Sequence, residues 1–108
     1  MEELVTELLD ELTIELGVTK ESDVAILEVK LKNAIREVIS AVGFRPSHDE
    51  AFRMNEIRNY IGNIKDLAMY DYSIVGAEGN TSYEENGIGR SWKKRTDCFN
   101  GIVRYADI

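Results

Sequence analysis

A chain of 108 residues has room for one domain with one core, and 44% apolar content suits a packed interior better than a disordered polymer. The formal charge of −7 argues against tight, sequence-independent binding to nucleic acid, which needs cations to displace counterions. A lone Cys98 and a lone His48 exclude an intrachain disulfide, a cysteine zinc cluster and a two-histidine metal site.

No apolar run approaches the roughly 20 residues needed to span a bilayer. Glu2 and Glu3 are the wrong charge for a signal peptide, so a soluble chain made in a cytoplasm is expected. Residues 1–43 carry ten acids and four bases, whereas residues 81–108 carry four acids and five bases. The front is therefore acidic and the tail mildly basic, a balance that suits solubility or a surface that must not stick to DNA.

In chain order, Val5, Leu9, Leu12 and Leu16 recur every three or four residues, with Leu4 and Leu8 beside them, and predict an amphipathic helix over 2–16. Gly17 suits its C-cap. Val24, Leu27, Leu31, Ala34, Ile35, Val38 and Val42 predict a second helix over 23–42, capped by Ser22 and ended by Gly43. Glu28 and Lys32 stand in the favourable i, i+4 order. Ile26, Val29 and Ile39 fall outside the main stripe, which means either central burial or contact with another subunit. Pro46 breaks the chain, and Ser47 with Glu50 reads as a capping box. A third helix is expected to about Val75, with Ile57, Tyr60, Ile61, Ile64, Leu67, Ala68 and Tyr72 on its stripe, roughly 40 Å long at 1.5 Å per residue. Gly76 and Gly79 bracket its end.

Beyond residue 76 the pattern changes. Asn86-Gly87 is a two-residue turn signal, so a β-hairpin is expected with Glu85 facing Ile88 and Tyr83 facing Arg90. A lone hairpin is marginal in water and should lean on the helices or on another chain. Thr96-Asp97 predicts a short last helix through Phe99, with Gly101 ending it, and residues 102–108 an extended tail. The fold class is mainly α: a helical core over 1–76 with a long third helix, then a hairpin, short helix and tail over 77–108 as an assembly arm of the same domain.

No catalytic constellation, phosphate-binding loop or dinucleotide fingerprint is visible, so neither an enzyme nor a cofactor is expected. His48 reads as a solvated polar residue and Cys98 as a small packing residue. The cluster Arg90, Lys93, Lys94 and Arg95, interrupted by Trp92, departs from the acidic trend. It reads as a phosphate contact with the indole stacked on a base, as a dock for an acidic neighbouring subunit, or as a solvated edge that discourages aggregation. The tyrosines at 60, 70, 72 and 83 read as core. Trp92 and Tyr105 lie where internal burial is hardest, and such residues favour interfaces.

The run from Asp66 to Tyr72, the Gly-Ala-Glu-Gly stretch at 76–79 and above all Glu85-Asn86-Gly87-Ile88-Gly89-Arg90-Ser91-Trp92 resemble the small head–tail connector (adaptor) proteins of long-tailed bacteriophages and prophages, often labelled DNA-packaging proteins. The resemblance covers nearly the whole chain. It implies a non-enzymatic subunit that joins identical copies in a ring below the portal, extends the DNA channel and offers a platform to the next head-completion or tail protein. It also implies assembly in the host bacterial cytoplasm, residence at the virion head–tail junction, transient passage of DNA and no membrane. The expected contact residues are Tyr83, Glu85, Asn86, Gly87, Ile88, Arg90, Trp92, Lys93, Lys94 and Arg95, with Ile102, Val103 and Tyr105 on the tail. The alternative is a small helical nucleic-acid-binding or regulatory protein that uses the basic cluster from Arg90 to Arg95.

Overall fold

Helix α1 (Glu2–Leu16) forms where the leucine period requires it: Leu4, Leu8 and Leu12 are fully buried and Val5 nearly so. In the computed structural model, which describes residues 2–77 and 95–105, it is followed by α2 (Glu21–Val42), α3 (Glu50–Ile57), a 3-10 turn (Arg58–Tyr60), α4 (Ile61–Ala77) and a closing 3-10 helix (Arg95–Phe99). Among the described residues the chain is mainly helical and contains no strand. The hairpin expected around Asn86-Gly87 lies outside them.

The end of α1 is set by Gly17. At φ +67° it lets Val18 donate back to the Thr13 carbonyl at 2.9 Å while its own N–H meets the Ile14 carbonyl, the two-bond Schellman closure. Gly43 ends α2 in the same left-handed region, with its N–H on the Ile39 carbonyl. The start of α2 differs from expectation. The helix begins at Glu21, Lys20 holds the cap position without a side-chain bond, and Ser22 lies inside the first turn. Glu21 and Asp23 place negative charge on the first turn, where the helix dipole favours it.

The third helix also differs. Residues 45–48 close on themselves, with His48 N–H on the Arg45 carbonyl at 2.9 Å and Arg45 N–H on His48 Nδ1 at 3.1 Å. Ser47 is held in that turn, so the cap passes to Asp49, whose Oδ1 accepts from Phe52 N–H at 2.8 Å. The continuous helix expected over 50–75 is two α-helices joined by the turn at 58–60. Asn59, Gly62 and Asn63 are poor helix formers there, and local bonding gives way to the tighter geometry. The helix expected to end before Gly76 runs through it to Ala77.

Ion pairs show how the helices lie. Arg58 Nη1 meets Glu7 at 3.4 Å, and Lys65 Nζ meets Glu11 at 3.0 Å and Glu15 one turn on. Positions advance together along both elements, so α4 runs parallel to α1. The short connection at Gly17 makes α2 antiparallel to α1, and hence to α4. The widest contact is α2 on α4. Leu27, Leu31, Ala34 and Val38 of α2 and Ile64, Leu67 and Ala68 of α4 are all fully buried. Each leucine removed from water contributes roughly 1.5–3 kcal/mol. Tyr60, Ile61 and Tyr72 flank this core as partly buried residues.

Candidate interaction surface

The segment from Arg95 to Tyr105 is stapled to the bundle at three places. Arg95 holds the first. Its Nε and Nη2 donate to the two Asp71 carboxylate oxygens at 2.8 Å each, and its Nη1 and Nη2 donate to Glu37 at 2.9 and 2.6 Å. One planar guanidinium thus ties the closing 3-10 helix to α4 and α2 together, a geometry that lysine cannot reproduce. Hydrogen bonds to Asp71 and then Glu37 push the Arg95 pKa up, so its charge is fixed.

Asn63 makes the second staple. Its amide donates to the Cys98 carbonyl at 2.9 Å and the Asn100 carbonyl at 2.8 Å. Cys98 itself is buried against the core and packs as a small apolar residue. Gly101, at φ +91°, then turns the chain toward the end of α2.

The third staple is Tyr105. Its N–H donates to the Val42 carbonyl at 3.0 Å and its hydroxyl to Glu56 at 2.9 Å. Burial, then the bond to Glu56, raise its phenol pKa. Its ring lies 4.6 Å from that of His48, which lies 4.5 Å from Phe52, and Phe44 closes the cluster. Arg53 secures the underlying turn by donating to the His48 and Arg45 carbonyls at 2.8 Å each. His48 is therefore a half-buried packing and hydrogen-bonding residue, not the solvated one expected; its aromatic partners lie on three different segments.

Among the expected contact residues, Arg95, Ile102, Val103 and Tyr105 fall within the described part, and they divide. Arg95 directs its donors at its own chain. Ile102 and Tyr105 pack against the core. Val103 points away from it, 74% exposed. Tyr83, Glu85, Asn86, Gly87, Ile88, Arg90, Trp92, Lys93 and Lys94 lie outside the described residues. Periodicity did single out two further apolar side chains that are exposed, Ile26 and Val29 on α2, whereas Ile39 is partly buried. Ile14, 80% exposed on α1, was missed, because nothing in its neighbourhood departs from an ordinary acidic helix face.

Among the described residues no group of histidine, cysteine and acidic side chains could hold a metal ion, and no helix is long and apolar enough to cross a membrane. Comparison with protein-family models, curated proteins and solved structures finds no match.

Proposed function

We propose that this chain is a structural subunit of a phage head–tail connector, which joins identical copies in a ring below the portal, extends the DNA channel and receives the next head-completion or tail protein. The reading rests on the resemblance of residues 66–92 to such proteins, and one structural observation supports it. The stretch with the most distinctive motif, residues 85–92, is bounded by two residues fixed to the same helix. Ala77 ends α4, and Arg95 grips Asp71, about 9 Å back along that helix. A helical bundle that holds residues 77 and 95 on one helix suits a subunit that works by docking the segment between them. The exposed Val103, between the second and third staples, offers a second contact of the same kind.

The nucleic-acid alternative has less support. Arg95 is committed to Glu37 and Asp71, so that reading rests on Arg90, Lys93 and Lys94 in a chain of net charge −7.

The test is co-sedimentation with portal rings from the same phage or prophage, read by negative-stain imaging. Added ring density at the narrow end of the portal is the expected result, with Trp92→Ala losing incorporation while keeping its helical circular dichroism. Absence of binding by the folded native chain overturns the proposal.

A further inference from the structure

Helix α2 buries one side and leaves the other without a partner. Leu27, Leu31, Ala34 and Val38 face the core, while Ala25, Ile26 and Val29 are exposed on the outward side. Ile26 is 37% and Val29 55% exposed. At about 100° per residue, the flanks of this strip carry charges in a definite order. Glu21 and Lys32 share one flank, and Asp23 and Lys30 share the other. On both flanks the acid comes first and the base follows about two or three turns later.

That order is self-complementary in one orientation only. When two copies of the helix cross antiparallel about a point near residue 27, each flank meets the same flank of its mate. Asp23 then stands opposite Lys30 of the second copy, Glu21 opposite Lys32, and Ile26 against Val29, and each contact occurs twice, as a two-fold contact requires. In the parallel orientation, acid would face acid and base would face base.

We propose that two copies of this chain pair antiparallel through the outward face of α2. Charge decides the occupant. Molecules of net charge −7 repel one another, and this strip brings two of them together with Glu21 and Asp23 opposite Lys32 and Lys30, while Glu28, on the Lys32 flank, keeps its own lysine. Among the described residues Lys32 meets Glu28, at 3.0 Å with side chains 48% and 39% exposed, and its ammonium keeps donors for a second carboxylate. Two turns of helix bury less than the roughly 800 Å² per partner of a standard interface, so the pair is weak and concentration-dependent. The inference rests on α2 alone and not on the connector reading; a two-fold contact differs from the head-to-tail contact that closes a ring.

The experiment is sedimentation equilibrium on the native chain and two charge-reversed variants, Lys30→Glu/Lys32→Glu and Glu21→Lys/Asp23→Lys, each checked for native helicity. The native chain is expected to move from monomer toward dimer with concentration. Each variant alone stays monomeric, because like charges then meet on both flanks, and an equimolar mixture of the two recovers the dimer. A native chain that stays monomeric at the highest soluble concentration overturns the proposal. So do variants that self-associate like the native chain, or a mixture that fails to pair.

Discussion

Arg95 grips Asp71 with two nitrogens, Nε on Oδ1 and Nη2 on Oδ2, both at 2.8 Å, and the same Nη2 reaches Glu37. Removing the guanidinium leaves two carboxylates facing each other, with Asp71 the more buried at 15% exposed. Arg95→Met is expected to cost about 1–3 kcal/mol, held below the value for a fully buried pair because Arg95 and Glu37 remain partly in water. Arg95→Lys recovers less than half of the loss, since an ammonium cannot donate in a fork. Urea unfolding of the three proteins checks this, and equal stability of the methionine variant would show the clamp to be idle.

Gly17 and Gly43 have nearly the same backbone, φ +67° and +66°, but different surroundings. A Cβ at Gly17 meets nothing within 4 Å, whereas at Gly43 it would lie 2.8 Å from the Arg104 guanidinium carbon. Gly17→Ala should cost about 1 kcal/mol for the left-handed conformation alone. Gly43→Ala should cost more, because Arg104 must also move away from the Ser40 carbonyl that its Nη1 holds at 2.8 Å. Arg104→Ala in the Gly43→Ala background should remove the excess, and thermal melts of the three variants decide the point.

The Lys65 ammonium is raised above its ordinary 10.5, chiefly by its hydrogen bond to Glu15, with burial acting against the shift and Glu11 adding to it. A raised folded-state pKa means stability fully present below the ordinary value and lost as pH rises through the folded one. Tyr72, raised by burial and then by Asp23, and Tyr105 act in the same direction above their ordinary 10.0. The chain should therefore lose stability on the alkaline side above about pH 10. Lys65→Gln should lower stability at neutral pH and flatten that alkaline slope. Denaturant midpoints measured across the range test it; an unchanged slope would remove Lys65 from the linkage.

Leu31 and Val29 lie on opposite sides of one helix, the first fully buried and the second 55% exposed. Leu31→Ala should cost about 2–5 kcal/mol by leaving a cavity between α2 and α4. Val29→Ala in dilute solution should stay within about 0.5 kcal/mol of the native chain. Equal costs for the two would contradict the assignment of faces.

The amino-acid pattern alone specified that α1 and α2 form, the greater part of their inward faces and the glycines that end them, but not the start of α2 or the exposure of Leu16. The reason is local: apolar residues at helical spacing specify a face, and a glycine at a left-handed position stops a helix without any distant partner. The Glu28–Lys32 pair and the short helix before Gly101 were legible on the same grounds. Where two local signals competed the choice was not legible. Ser47 and Asp49 are both good caps, and the closed turn at 45–48 gave the position to Asp49. The tertiary structure alone decided the place of Arg95, which the sequence grouped with Lys93 and Lys94 as a basic cluster. Its acceptors lie 24 and 58 residues away, and an attraction over that distance acts only after α2 and α4 have packed. The same holds for His48, whose ring meets Tyr105 only because Asn63 and Arg95 return the chain to the end of α2.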